Sequence, residues 1–94
     1  MMLHPYYYLN ASLGTAIQTT RHAKGITRSD LSSQIGFPER LLIDLEEGKI
    51  TASIMTLCEI AHNLDVSPTY ILRLAAFEQE ALRHLNEQGK AQTN

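Results

Sequence analysis

A chain of 94 residues, 44 % hydrophobic and 19 % charged, can fold as one globular domain with a modest core, and this composition excludes disordered and fibrous classes. Eight basic against ten acidic side chains give a net charge of −2, so any contact with a polyanion must be local rather than a property of the whole surface. The balance shifts along the chain: residues 1–50 hold five basic and five acidic groups, residues 51–94 three and five.

The elements are separated by short punctuation. Residues 1–9, with the triplet Tyr6-Tyr7-Tyr8, precede Asn10 as an N-terminal arm. Asn10 suits an N-cap, and Leu13, Ala16, Ile17 and Thr20 recur at helical spacing until Gly25 stops the first helix. Thr27 caps a second segment in capping-box style with Asp30, carrying Leu31 and Ile35 on one face, and Gly36 ends it. Pro38 suits the first position of a third helix that closes at Gly48. Ser53 starts a fourth, whose apolar face is Ile54, Leu57, Ile60, Ala61 and Leu64. Ser67-Pro68 opens a fifth, without a breaker until Gly89. The tyrosine triplet is the only β-like run and has no hairpin partner, so the class is all-α.

Two short helices joined through a glycine turn form a helix-turn-helix unit. Four phrases, LGTAIQTTRHAKGIT, SDLSSQIGFP, LIDLEEGK and SIMTLCEIAHNLDVSPTYIL, stand here in an order and spacing that resembles the lambda-repressor-like, or xenobiotic-response-element-type, DNA-binding domain over about Leu13 to Leu72. The resemblance implies a five-helix lambda-repressor-like helix-turn-helix domain at residues 10–72. Residues 73–94 would extend the C-terminal helix for dimerisation and end in a loose tail. It also implies that Arg21 and Glu46 pair as a partly buried salt bridge.

The residues account for the same features physically. Leu31, Ile35, Leu42 and Leu45 face inward, small Ser32 lets the motif helices cross closely, Gly36 supplies a positive φ, and Phe37 plugs the turn. Glu39 and Asp44 occupy the outward positions where members of the family read bases, and a carboxylate can accept from cytosine N4. Arg40 beside them can bind guanine in bidentate fashion, while Leu41 and Ile43 can touch thymine methyls. Acids also repel phosphates, which weakens non-specific binding more than correct binding. Thr27, Arg28, Ser29 and Lys49, with the amides that open the second helix, are the expected phosphate anchors. Two positions depart from the family: Arg28 stands where Gln is usual, and Pro38 where a polar cap is usual.

The expected function is a sequence-specific DNA-binding transcriptional regulator, a repressor binding a pseudo-palindromic operator on double-stranded DNA as a homodimer. The alternative is a degenerate helix-turn-helix acting as a protein-interaction module or antitoxin-like partner-binding protein, with Leu41 and Ile43 as an apolar patch in an acidic rim. A regulatory protein partner is a further candidate, since no ligand domain is expected. The dimer contact is expected along Tyr70, Leu74, Phe77, Ala81 and Leu85 of the fifth helix, with the tyrosine arm as a supplement.

Other chemistry is not expected. Cys58 and His62 are one helical turn apart, but His4, His22 and His84 are not spaced to complete a metal site. No nucleophile elbow, glycine-rich phosphate loop or paired-carboxylate pattern is present, so neither an enzyme nor a cofactor is expected. Apolar runs such as YILRL fall far short of a membrane span, and MMLHPYYYLN lacks the features of a secretory signal. With the single cysteine, these point to the cytoplasm.

Overall fold

Apolar and small residues at three- and four-residue intervals make the first helix, α1 (Tyr7–Ala23), and bury Leu13, Ala16 and Ile17 along one face. Thr20 is buried on the same face because its hydroxyl donates to the Ala16 carbonyl at 2.8 Å. The computed structural model describes the backbone of residues 7–92 and the side chains of residues 9–80. α1 starts before the cap expected at Asn10. The Asn10 Oδ1 accepts instead from the Thr51 hydroxyl at 3.0 Å, so the side chain is a tether between distant segments, not a stop. Tyr7, Tyr8 and Leu9 therefore belong to the helix, which shortens the expected arm.

The next boundaries follow local rules. Gly25, at φ +69°, reverses the chain, and the Ile26 N–H returns to the Arg21 carbonyl at 3.2 Å. Thr27 is extended and its hydroxyl accepts from the Asp30 N–H at 3.0 Å, opening α2 (Arg28–Ile35). Gly36 adopts φ +89° and closes it. Ser32 faces inward with Leu31, and its hydroxyl is satisfied by donating to the Arg28 carbonyl at 2.8 Å.

The third helix, α3 (Glu39–Glu46), departs by one residue from the expected start. Pro38 is the cap and not the first helical residue: its ring sets φ at −61°, but ψ of 141° keeps it extended. No side chain caps that end. Leu42, Leu45 and Glu46 are buried. Ser53 caps α4 (Ile54–Asn63), its hydroxyl accepting from the Thr56 N–H at 3.0 Å. Leu57, Ile60 and Ala61 face the core, but Ile54 is 80 % exposed, contrary to its expected place on the apolar face. A helical side chain leans toward the N-terminus, and one in the first position has no preceding turn to lie upon. α4 ends without glycine: Asp65 takes φ +58°, and the Val66 N–H reaches the Ala61 carbonyl at 3.0 Å.

The fifth helix, α5 (Pro68–Gln92), continues through Gly89 and packs chiefly against α1, burying Ile71 and Ala75. One core thus draws on every helix, from Ile17 of α1 through Leu31, Leu42 and Ile60 to Ile71. α1 also approaches the end of α3 closely. A Cβ on Gly14 would lie 2.5 Å from the Glu46 carbonyl oxygen, so only glycine permits that contact. The approach sets the end of α3 beside α1, where the charged site is built.

Candidate nucleic-acid interface

Three helix ends meet around one buried carboxylate. Arg21, in the last turn of α1 and 6 % exposed, donates from Nε to Glu46 Oε2 at 2.7 Å and from Nη2 to Oε1 at 3.0 Å. Its Nη1 donates to the Ile26 carbonyl at 2.9 Å, so the guanidinium is spent inside the fold. Arg28, the first residue of α2, donates from Nε to Glu46 Oε1 at 2.8 Å. The Glu46 side chain is fully buried, whereas 29 % of the Arg28 side chain is exposed. The hydrogen bond that Arg28 donates to Glu46 is the main influence raising the Arg28 pKa above its ordinary value. Glu46 therefore serves two cations rather than the single partner expected from the family resemblance.

An open cleft of about 590 Å³ adjoins this group, lined by Gln18, Arg21, His22, Ile26, Thr27 and Arg28. His22 Nε2 lies 3.2 Å from Arg21 Nη2, and since a guanidinium only donates, the ring nitrogen must accept. The cleft is thus walled by the positive end of α2 and two arginines. Lys24, exposed at the end of α1, is a further cation that the sequence reading did not single out. Its only signal was a lone Lys before Gly25.

On α3, Glu39 and Arg40 are exposed, and Asp44 is half-buried. Arg40 Nη2 lies 3.0 Å from Asp44 Oδ1, one turn away. That contact is charge to charge without hydrogen-bond alignment: the oxygen is shielded from solvent and lacks a hydrogen-bond partner. It retains its acceptor capacity. Leu41 differs from expectation, being partly buried against the core, which reduces the apolar patch assigned to it with Ile43. Lys49 Nζ lies 2.9 Å from Glu47 Oε1, and that hydrogen bond holds the Glu47 carboxyl below its ordinary pKa. All three cations expected to meet DNA (Arg28, Arg40 and Lys49) therefore carry an acid partner. The two exposed pairs are screened by solvent and weak, so a phosphate or base can displace those acids at little cost.

Along α5, the expected contact stripe is divided. Tyr70 and Phe77 are exposed, at 51 % and 72 %, while Leu74 packs partly against the core. Ala81 and Leu85 lie within α5, but their side chains are outside the described residues. Among the described residues, no group of three His, Cys, Asp or Glu side chains is placed to hold a metal, and no helix is long and apolar enough to cross a membrane.

Two short helices joined through Gly36 and set in five-helix packing define a helix-turn-helix protein of the DNA-binding regulator class. The chain belongs to the helix-turn-helix domain family, whose model matches residues 14–76. It is 33 % identical over 55 residues to the uncharacterized HTH-type transcriptional regulator y4dJ of Sinorhizobium fredii, covering 58 % of this chain and 71 % of that protein. Its structure is similar to the clp gene regulator ClgR from Corynebacterium glutamicum, with a TM-score of 0.85, 25 % identity and 88 % of each chain covered. It also shares its fold with the restriction-modification controller protein C.AhdI from Aeromonas hydrophila, at TM-score 0.69 and 24 % identity over 72 % of this chain and 99 % of that one.

Proposed function

We propose that this protein is a sequence-specific transcriptional regulator that binds a pseudo-palindromic operator as a homodimer and represses by occupying it. The observation that carries the reading is the paired geometry of α2 and α3. Arg28 stands partly exposed at the start of one helix, and Glu39, Arg40 and Asp44 present polar groups along the other. In this reading α3 enters the major groove and α2 crosses the backbone. Arg40 reads guanine O6 and N7, and the Asp44 carboxylate, uncovered when Arg40 swings onto its base, accepts from cytosine N4. Thr27, Ser29, Arg28 and Lys49 fix the register on phosphates. Relatives described as regulators, y4dJ and ClgR, support the assignment.

Dimerisation follows from the scarcity of free positive charge. One copy neutralises few phosphates, and joining two makes the second contact intramolecular at high effective concentration. The exposed rings of Tyr70 and Phe77 supply a surface for that pairing. The protein-module alternative loses support because Leu41 is turned partly into the core.

The test is a pair of substitutions assayed on a cognate and a mixed-sequence duplex. Arg40→Ala should relax preference at one base position and cost about 1–3 kcal/mol on the cognate site. Glu39→Gln should raise mixed-sequence affinity by removing a repulsion. If both variants match the parent on every duplex, α3 is not the reading helix.

A further inference from the structure

Arg28 is in an unfavourable place for helix stability. A cation at the first residue of α2 opposes the positive end of the helix dipole, and an uncharged residue would suit the helix better. Its role therefore lies outside the helix. Glu46 offers the explanation. The carboxylate engages Arg28 through Nε alone, at 2.8 Å, and among the described residues neither terminal nitrogen of that guanidinium has a hydrogen-bond partner. Those two groups form the edge of the fork that matches two phosphate oxygens. Arg21 cannot play this part, since its Nε, Nη1 and Nη2 are all engaged inside the fold.

The charges also sum in a useful way. Glu46 is buried and nearly cancelled by bidentate Arg21, so the network of two arginines and one acid leaves one net positive charge. That charge is carried by Arg28, the more exposed of the two. We propose that Glu46 is a positioning residue: it holds Arg28 by Nε so that the two terminal nitrogens stand ready as a fork for one backbone phosphate at the start of α2. An acid near the DNA face then strengthens phosphate binding, because the arginine's rotamer freedom is already lost before the duplex arrives. A lysine would not substitute. Its single ammonium either stays on Glu46 or reaches the phosphate, whereas the guanidinium does both.

The inference rests on the duplex-binding reading above, and the experiment separates the two. Binding of the intact chain to a mixed-sequence duplex is measured as a function of salt for the parent, Arg28→Gln, Arg28→Lys and Glu46→Gln, with thermal melting of each variant alongside. Arg28→Gln should bind about five- to tenfold more weakly at about 0.1 M salt and lower the salt slope by about 0.9 per bound protomer, the signature of one lost phosphate. Arg28→Lys should lose several-fold affinity despite its unchanged charge. Glu46→Gln should weaken binding per folded molecule, although it removes a negative charge. Arg28→Lys binding like the parent, or folded Glu46→Gln binding more tightly, would overturn the positioning role while leaving the duplex-binding reading intact. If Glu46→Gln does not fold, the lysine variant decides. A parent that binds no duplex sinks both.

Discussion

Removing Arg21 is the sharpest perturbation of the scaffold under the interface. Arg21→Ala deletes two hydrogen bonds to Glu46, at 2.7 and 3.0 Å, and one to the Ile26 carbonyl at 2.9 Å, from a residue only 6 % exposed. Breaking a buried pair from one side costs about 3–5 kcal/mol, because the survivor keeps its desolvation penalty without its partner. Glu46 retains Arg28, which holds the loss to the lower end, about 3 kcal/mol. The stranded Ile26 carbonyl adds about 1 kcal/mol. For a domain of this size the sum lowers the melting temperature by about 15–25 °C. Circular dichroism during thermal and urea unfolding measures it. The double variant Arg21→Met, Glu46→Leu should recover most of the loss, since a packed apolar pair replaces a desolvated ionic one. A single variant within about 0.5 kcal/mol of the parent would refute the reasoning, as would a double variant showing the full sum of both losses.

Gly14→Ala should be more damaging than Gly25→Ala. The first drives a Cβ to 2.5 Å from the Glu46 carbonyl oxygen and 2.8 Å from its carbon, an overpacking cost of about 1–3 kcal/mol, while the second meets nothing within 4 Å and bears only the strain of φ +69°. Denaturant midpoints rank the two, and the reverse order would contradict the close approach of α1 to α3. For assembly, the intact chain should sediment as a dimer at micromolar concentration and Phe77→Glu as a monomer. A monomeric parent or an unaltered Phe77→Glu dimer would reject the α5 contact.

The fold was largely legible because its boundaries depend on local chemistry. Gly25, Gly36 and Gly48 all take positive φ at helix ends, and Thr27 and Ser53 both cap through their hydroxyls. Where sequence reasoning failed, tertiary contacts had replaced a local rule. Asn10 has the right chemistry for a cap, but Thr51 claims its side chain from forty-one residues away. Ile54 fits the apolar spacing of α4 yet lies beyond the core, and Asp65 adopts αL with no glycine to announce it. At the site, sequence spacing and family resemblance located Arg21, Arg28 and Glu46 separately. That one buried carboxylate holds both arginines depends on how α1, α2 and α3 meet, which no local pattern encodes.

The acids of α3 and its C-cap thus divide by burial. Glu46 sits inside the scaffold with two arginines, while Asp44 and Glu47 hold Arg40 and Lys49 in weak surface pairs. If those pairs open onto DNA, the protein reads sequence with little non-specific attraction. Selection of duplexes from a random pool by the intact chain, run at low and moderate salt, tests that claim most directly. The account predicts an enriched inverted repeat whose half-sites are centred about one helical turn apart, more sharply defined at the higher salt. Recovered sequences indistinguishable from the input pool at both salt concentrations would contradict it.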